Sequence, residues 1–367
     1  MGHASACAAQ PTQCASSKSR DGEEVGLLIV PVESKPDLGK YELREEIGHG
    51  GMATVYLARD RRLGRDVAVK IIHRHLRENA EVAARFASEA RAVAKLKHPN
   101  IVEVYDVSEE SEPERYLVVE LVRGITLRAL LSEQSQLPAE IAAIIAIEVA
   151  LALDHAHQLG VIHRDVKPEN VLIATPPPGA VDLRASNPDE ALVKITDFGI
   201  AKLLDAQGVT STGQVLGSPA HMAPEQIEGG DVTARSDVFG LGVMIYESMV
   251  GRLPFDGKNP AQVLRRVLDG AFTPADKARP TVGAQFSAIV GRALAHEQSG
   301  RFASAEEFAS ALKQELAELG FVDLRGELRA FFADPKAYRQ AHEERLVERL
   351  VKRASEARAA GAIPLSA

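Results

Sequence analysis

The sequence has few cysteines and no long apolar run. Its two cysteines, Cys7 and Cys14, lie in a polar leader without a metal-binding or redox spacing, so free thiols are expected. The longest apolar run, 141–153, is too short to cross a bilayer and contains Glu148, which favours a buried helix over a membrane segment. No signal-peptide core or myristoylation pattern opens the chain, so the predicted location is cytoplasmic.

An excess of basic charge is also missing. The 43 lysines and arginines stand against 51 aspartates and glutamates, and the net charge of −8 argues against nucleic acid or an anionic membrane as a general partner. The 367 residues are 45% hydrophobic and 26% charged, which is typical of a globular protein long enough for more than one packed core.

The pattern of the chain changes along its length. Short strand-like runs separated by polar turns come first, and helical patterns dominate from residue 139. We therefore predict an α+β, bilobal fold, with a small antiparallel β-rich N-lobe at 38–121 and a larger α-helical C-lobe at 122–319. Residues 1–37 are expected to form a disordered leader.

The last segment, 320–367, is predicted to be a charged helical extension with an apolar stripe. Docking on its own domain or on a following module is the first interpretation, and a dimerisation helix is the alternative. Because the motifs that carry function end before this segment, we expect the domain to fold without the residues after 325.

Glycines separate two strand-like runs early in the chain. Ile47, Gly48, Gly50 and Val55 belong to a stretch in which bare backbone could close over phosphates, because glycine has no Cβ to obstruct them. A plain hairpin turn is the simpler alternative, and the stretch lacks the G-K-[ST] of a Walker loop. Which of these two interpretations applies depends on the motifs that follow in the sequence.

Two charged residues occupy positions that otherwise face a core. Lys70 alternates with apolar neighbours on a predicted strand, and Glu89 lies on the apolar stripe of the next predicted helix. A buried charge left without its partner would cost about 3–5 kcal/mol. We therefore predict an ion pair between Lys70 and Glu89, with the ammonium group directed at phosphate oxygens.

A short loop after an apolar helix combines Asp165, Lys167 and Asn170. Asp165 could accept a hydroxyl proton, Lys167 could contact a transferring phosphoryl group, and Asn170 could supply an oxygen to Mg²⁺. Asp197, which opens the tripeptide D-F-G at the end of a later strand, could supply a second oxygen. Taken alone, the loop that contains Asp165 could be a charged surface turn, and the D-F-G tripeptide could be an ordinary turn.

Together and in this order, the motifs resemble the eukaryotic-like (Hanks-type) serine/threonine protein kinases of bacteria. The resemblance implies transfer of the γ-phosphoryl group of ATP to protein hydroxyls, with Mg²⁺, or with Mn²⁺ as an alternative. The implied ATP-binding residues are Ile47, Gly48, Gly50, Val55, Ala68, Lys70, Val119, Glu120, Val122 and Leu172. The implied catalytic residues are Lys70, Glu89, Asp165 and Lys167, and the implied metal ligands are Asn170 and Asp197.

The resemblance also implies supporting roles away from the reacting groups. Glu225 is expected to pair with Arg301, and Asp237 is expected to brace the catalytic loop. His221 stands where tyrosine is common in the family, which leaves the packing of the peptide-docking floor open. The extension at 328–360 resembles those of myxobacterial kinases.

A stretch with three hydroxyl residues is the expected switch. Arg164 precedes the catalytic aspartate and needs a compensating anion, which a phosphate on Thr210, Ser211 or Thr212 could supply. Ser218 keeps the hydroxyl of the threonine usual in the family. Autophosphorylation would make a second copy of the chain a partner, and an ordinary flexible loop is the alternative.

Two other functions share parts of this pattern. A pseudokinase scaffold would keep the fold without turnover, but every polar catalytic position is filled. A small-molecule kinase would lack the long activation segment at 197–225. ATP and protein substrates are therefore the expected partners.

Overall fold

The structure, a computed structural model, describes residues 36–341 without 52, 78–79, 110, 175–191 and 199–218, together with residues 344, 347, 351 and 355. Both cysteines and most of the predicted leader lie outside these residues. The described strands are β1 (Tyr41–His49), β2 (Ala53–Asp60), β3 (Arg65–Ile72), β4 (Val104–Val107), β5 (Tyr116–Val119), β6 (Gly124–Thr126), β7 (Val171–Ala174) and β8 (Val193–Ile195). The helices are α1 (Arg74–Arg77), α2 (Ala80–Val93), α3 (Leu127–Gln134), α4 (Ala139–Gln158), α5 (Pro224–Glu228), α6 (Ala234–Val250), α7 (Pro260–Asp269), α8 (Ala275–Ala278), α9 (Ala284–Ala293), α10 (Ala305–Glu318) and α11 (Leu324–Ala333).

A five-stranded antiparallel sheet in the order β1-β2-β3-β5-β4 forms the N-lobe. In β3, Val67 and Val69 alternate with Ala68 and Lys70, and successive side chains of a strand point to opposite faces. Val67 and Val69 join a small core cluster on one face. Ile72, which shares the face of Lys70, belongs to the main core of the protein. The alternation therefore turns Lys70 toward the interior.

The predicted helical stripe after β3 is present in α2. Phe86, Ala90 and Val93 are buried at spacings of four and three residues, which put them on one face of a helix. They belong to the same core cluster as Ile72 of β3 and Leu117 of β5. Helix α2 thus packs on the side of the sheet that carries Lys70.

Helices α4 and α6 lie at the centre of the C-lobe. The apolar run 141–153 lies within α4 and is buried almost throughout, as expected for a helix that is apolar on all sides. In the described part of the chain, no helix has the length and apolar character needed to span a bilayer. Gly240 of α6 allows close approach of the loop between α4 and β7, because a Cβ there would lie 3.0 Å from Val166 Cβ.

A three-stranded antiparallel sheet, β6-β7-β8, connects the two lobes. Its last strand is held by the segment that follows α2: Ile195 N–H donates to the Asn100 carbonyl at 2.8 Å, and Val102 N–H donates to the Ile195 carbonyl at 3.0 Å. Strand β8 ends two residues before Asp197. The sheet therefore determines where this carboxylate lies.

The extension packs on the C-lobe. Phe321, Leu328, Phe331 and Tyr338 are buried, and they belong to the main core together with α4. The rings of Phe331 and Tyr338 meet edge to face with centroids 5.6 Å apart. For the described part of the segment, this packing agrees with docking on its own domain. Three of these four side chains lie beyond residue 325, and the expectation that the domain folds without the residues after that point stays a prediction.

Replacing Phe331 with alanine should destabilise the protein by about 3–5 kcal/mol, because the side chain is fully buried and its loss leaves a cavity. Urea unfolding of the full chain, followed by circular dichroism, measures the change. Val322→Ala is the matched control: Val322 is 94% exposed, and its truncation should change the free energy of unfolding by less than about 0.5 kcal/mol. Equal stability of Phe331→Ala and the wild type would show that the extension is not part of the core.

Candidate active site

The tip of the hairpin between β1 and β2 contains glycines, so its backbone carries few side chains. Gly50 N–H donates to the Ala53 carbonyl at 3.0 Å, which closes the turn. A Cβ added at Gly48 would meet only Val55 among the described residues, at 3.6 Å, and one at Gly51 would meet none of them within 4 Å. The hairpin therefore keeps open space beside its backbone, as a phosphate-binding loop requires.

Three of the implied ATP-binding residues lie on three different strands. Ala68 of β3 is paired in register with Val119 of β5, and Leu172 lies half-buried on β7. The chain then passes between the lobes through the half-buried segment 120–122. Glu120 Oε1 lies 2.9 Å from Lys194 Nζ of β8. This ion pair, which links the connecting segment to the second sheet, was not predicted.

Lys70 and Asp197 form an ion pair across the two sheets. Lys70 Nζ lies 2.9 Å from Asp197 Oδ2, and the side chains are 17% and 35% exposed. Burial would raise the pKa of Asp197, but the charge and hydrogen bond of Lys70 hold that pKa below its ordinary value, so the group is ionised at neutral pH. The pairing of Lys70 with Glu89 stays a prediction; Glu89 lies half-buried on α2.

The loop between α4 and β7 brings Asp165, Lys167 and Asn170 together. Lys167 Nζ lies 2.7 Å from Asp165 Oδ2. Asn170 Nδ2 donates to the Asp165 carbonyl at 2.8 Å and to Asp165 Oδ2 at 3.2 Å. Because its amide nitrogen is turned to Asp165, the side-chain oxygen of Asn170 is left to accept another group, such as a hard cation. Thr196 N–H donates to the Asn170 carbonyl at 2.9 Å, which brings the segment of Asp197 alongside.

Two site residues have a left-handed backbone. The φ angles of Arg164 and Asp197 are 66° and 64°, and such angles cost of the order of 1–3 kcal/mol in residues other than glycine. Asp237, buried at the start of α6, supports the first of them. Its Oδ1 accepts from Arg164 N–H at 2.7 Å and its Oδ2 from His163 N–H at 2.8 Å. His157 Nε2 lies 2.7 Å from the same Oδ2.

His163 connects the catalytic loop to the segment of Asp197. It is fully buried, its Nε2 lies 2.9 Å from the Thr196 carbonyl, and its Nδ1 accepts from Asp165 N–H at 3.2 Å. Burial lowers the pKa of His163, so the neutral ring donates through Nε2 and accepts through Nδ1. The ring also packs on Phe198, with centroids 4.6 Å apart. The sequence pattern did not indicate this role.

Glu225 and Arg301 form a bidentate ion pair inside the C-lobe. Arg301 Nη1 and Nη2 lie 2.7 and 2.8 Å from Glu225 Oε1 and Oε2, and Arg301 is 1% exposed. Ser236 Oγ donates to Glu225 Oε1 at 2.5 Å. Burial opposes the ionisation of Glu225, but the hydrogen bonds from Arg301 and Ser236 hold its pKa below the ordinary value.

A second cluster of charges, which the sequence did not indicate, connects the catalytic loop to α6. Arg128 of α3 donates to the two carboxylate oxygens of Glu247 at 2.7 and 3.1 Å and to Glu169 at 2.8 Å. His221 is buried, and its Nε2 lies 3.6 Å from Glu247 Oε2. The residue that stands in place of the usual tyrosine therefore packs beside a carboxylate of α6.

The expected switch residues, Thr210, Ser211 and Thr212, lie outside the described residues, as does Ser218. Arg164 is described and exposed, and it forms no ion pair with another described residue. Its carbonyl accepts from Gln226 Nε2 at 3.0 Å. This bond ties the start of α5 to the catalytic loop.

The fold and the site define a protein kinase. Residues 41–314 match the protein kinase domain family, and the chain belongs to that family, whose members use ATP with a divalent metal ion. It is 36% identical over 275 residues to the serine/threonine-protein kinase PrkC of Bacillus subtilis, which covers 75% of this chain and 40% of that protein. It is 38% identical over 278 residues to the serine/threonine-protein kinase PknB of Mycobacterium tuberculosis, covering 74% of this chain and 42% of that protein.

A solved structure shares the fold. The kinase domain of Mycobacterium tuberculosis PknI superimposes with a TM-score of 0.59 at 26% identity, covering 76% of this chain and 97% of that domain. The predicted bilobal α+β fold and the resemblance to bacterial Hanks-type kinases are thus confirmed. The chain spans about two fifths of the length of the two curated relatives. The likeness to myxobacterial extensions stays a prediction.

Glu225→Gln should destabilise the protein at pH 7 by about 3–5 kcal/mol, because it leaves the buried Arg301 without a counter-charge. The pKa of Glu225 is lowered in the folded state, so its contribution is present above the ordinary value of 4.5 and is lost as the pH falls below it. Urea unfolding at pH 7 and pH 3.5 should therefore show a difference from the wild type that narrows in acid. Glu297→Gln, at an exposed neighbouring position, is the control; a difference that does not change with pH would contradict the ionised pair.

Proposed function

We propose that the protein is a serine/threonine kinase that transfers the γ-phosphoryl group of Mg²⁺-ATP to serine and threonine hydroxyls of proteins. The observation that carries this proposal is the contact of Lys167 and Asn170 with Asp165, at 2.7 and 3.2 Å, beside the Lys70–Asp197 ion pair. The names of PrkC and PknB as serine/threonine-protein kinases support it.

The acceptor hydroxyl would lie at Asp165, which accepts or orients its proton. Lys167, already within 2.7 Å of that carboxylate, would contact the transferring phosphoryl group and balance its charge. Lys70 would hold phosphate oxygens from the side of the N-lobe, beneath the glycine hairpin. Glu89 would orient Lys70 when the two side chains pair.

Asn170 and Asp197 would hold the Mg²⁺ ion, which when bound neutralises charge on the phosphates of ATP. Their chemistry fits, because Mg²⁺ prefers hard oxygen ligands and completes its shell with water and phosphate oxygens. Among the described residues, no group of three or more histidine, cysteine or acidic side chains could hold a metal ion. An ion shared between two side chains and the nucleotide is therefore the arrangement we propose, and Mn²⁺ would suit the same oxygens.

The adenine would lie between Ala68 and Leu172, with Val119 at the back of its pocket. The main chain of Glu120 and Val122 would contact the edge of the base. The side chain of Glu120 is held by Lys194 at 2.9 Å, so this segment has a defined position before the nucleotide binds.

Replacing Asp197 with asparagine should abolish nearly all phosphoryl transfer, because a neutral amide weakens metal ligation without changing the side-chain volume. Transfer of labelled phosphate from ATP to a protein substrate measures it, and circular dichroism checks the fold. Asp269→Asn, at an exposed position on α7, should keep full activity. Turnover of Asp197→Asn within the range of about 1–100 s⁻¹ usual for kinases would disprove the assignment of the metal ligand.

We also infer that the enzyme is activated by phosphorylation at Thr210, Ser211 or Thr212. The support is Arg164, an exposed guanidinium beside the catalytic carboxylate that has no ion-pair partner among the described residues. A phosphate with a charge of about −1.5 to −2 could supply one through bidentate bonds. Autophosphorylation between copies would require a transient homodimer.

A cytoplasmic location stays a prediction, and nucleic acid is not among the proposed partners because the net charge is −8.

Combined replacement of Thr210, Ser211 and Thr212 by alanine should lower turnover and remove the response to phosphatase. In the wild type, phosphatase treatment should lower the activity and incubation with Mg²⁺-ATP should restore it, with the phosphate located by mass spectrometry. Thr281→Ala, at an exposed position, is the control. If the triple variant keeps wild-type turnover, the switch is located elsewhere.

A further inference from the structure

A guanidinium group and two carboxylates lie side by side next to the catalytic loop. Arg128, in the first turn of α3, donates through Nη1 and Nη2 to the two carboxylate oxygens of Glu247 at 2.7 and 3.1 Å. Its Nε donates to Glu169 Oε1 at 2.8 Å. We name these three residues the arginine cluster. The two bonds to Glu247 form the bidentate arrangement in which carboxylates recognise arginine.

The arginine cluster lies where two elements of the active site meet. Glu169 directly precedes Asn170, whose side chain contacts Asp165 at 3.2 Å. His221, at the end of the activation segment, places its Nε2 3.6 Å from Glu247 Oε2. A protein substrate has to bring its hydroxyl to Asp165 alongside these two elements. We therefore expect the residues that flank the acceptor to pass close to the cluster.

One end of the arginine cluster is open to solvent. The side chains of Glu169 and Arg128 are 42% and 33% exposed, whereas that of Glu247 is 11% exposed. Glu247 is thus the buried end of the cluster, and Glu169 and Arg128 form its accessible end. A side chain of a bound substrate can reach that accessible end.

The charges of the arginine cluster depend on one another. Burial would lower the pKa of Arg128, but the hydrogen bonds to Glu247 and Glu169 raise it above its ordinary value. Burial would raise the pKa of Glu247, but the hydrogen bonds from His221 and Arg128 hold it below its ordinary value. Without Arg128, two carboxylates would remain around a space that has the shape of a guanidinium group.

We propose that Arg128 is a specificity-determining residue, which fills an arginine-binding site beside the acceptor with a side chain of the enzyme itself. Because both carboxylates are already bound, the enzyme does not select substrates for an arginine near the acceptor. Removal of the Arg128 side chain would open the site to an arginine of the substrate. This inference rests on the proposed function, since it concerns which protein sequences the same active site accepts.

A purely structural role for Arg128 would give a different result. Arg128 also joins α3 to α6, and the loss of that contact alone would lower the stability of the protein without changing its choice of substrate. A gain of selectivity for arginine is therefore the property that distinguishes the two roles. Arginine should be preferred to lysine in that gain, because a single ammonium group cannot reproduce the planar fork of the guanidinium.

Phosphorylation of a randomised peptide library with labelled ATP, normalised to the total phosphate transferred, tests the proposal. In the wild type, arginine should be no more frequent than glutamine among the phosphorylated peptides at the positions around the acceptor. In Arg128→Ala, arginine should be enriched by about fivefold, the size expected of a partly exposed ion pair. The enriched position should lie within about three residues of the acceptor, because an extended chain spans about 3.3–3.6 Å per residue.

Further variants identify the carboxylates as the cause. The double variant Arg128→Ala/Glu169→Gln should lose most of the gained enrichment, because one of the two carboxylates is then neutral. Arg128→Met, which keeps an apolar stem against its neighbours, opens the same site where Arg128→Ala does not fold. Arg265→Ala, on α7 and 83% exposed, is the matched control and should show the peptide preferences of the wild type.

A binding measurement decides the inference independently of phosphoryl transfer. Ethylguanidinium chloride at about 50 mM should raise the melting temperature of Arg128→Ala by about 2 °C relative to sodium chloride at the same concentration, because the ion binds the open site of the folded protein. The wild type and Arg265→Ala should show no such difference. Equal shifts in the three proteins would overturn the proposal.

The peptide library gives two further results that would overturn the proposal. The first is a wild type that already selects arginine near the acceptor and loses that preference in Glu169→Gln, because the site would then be open in the presence of Arg128. The second is an Arg128→Ala protein that transfers phosphate without any gain for arginine. A wild type that phosphorylates no peptide would contradict the proposed function instead, and the ethylguanidinium measurement would still decide whether Arg128 fills an arginine site.

Discussion

The catalytic loop depends on one buried carboxylate, that of Asp237. It accepts the main-chain N–H groups of His163 and Arg164, and the first of these would otherwise be a buried donor without a partner. An unsatisfied buried donor costs about 1–3 kcal/mol, which is comparable with the strain of the left-handed Arg164. The Asp237 side chain therefore satisfies the buried donor, and its hydrogen bond to Arg164 offsets the strain of the left-handed backbone. The relative positions of Asp165 and Asn170 follow from the loop shape that it maintains.

The first turn of α6 organises both sides of the site. Asp237 holds the catalytic loop, and its neighbour Ser236 donates to Glu225, which in turn pairs with Arg301. The carbonyl of Arg235 accepts from Arg301 Nη1 at 3.1 Å. Three consecutive residues thus hold the catalytic loop and the start of α5 together. These charges can be buried because each has its partner on another element, whereas a single buried charge would be strongly unfavourable.

The extension is attached to the C-lobe by apolar packing and by polar contacts. Its aromatic and aliphatic side chains pack in the same core as α4, and the Tyr338 hydroxyl donates a hydrogen bond to Glu327. A carboxylate that is paired with a guanidinium, such as Glu225, stabilises the fold over the neutral pH range.

Local patterns in the sequence determined the lobes, the strand that carries Lys70, the catalytic loop at 163–170 and the family. Strand and helix periods place neighbouring side chains on defined faces, and the order of the motifs along the chain is itself the signature of the family. Contacts between distant residues, such as Arg128 with Glu247, were decided only by the tertiary structure. Arginine and glutamate are common on protein surfaces, and no local period specifies their partners. The position of Tyr338 was likewise decided only by the tertiary structure. A tyrosine in a charged segment becomes a core residue only where another element, here α4, packs against it.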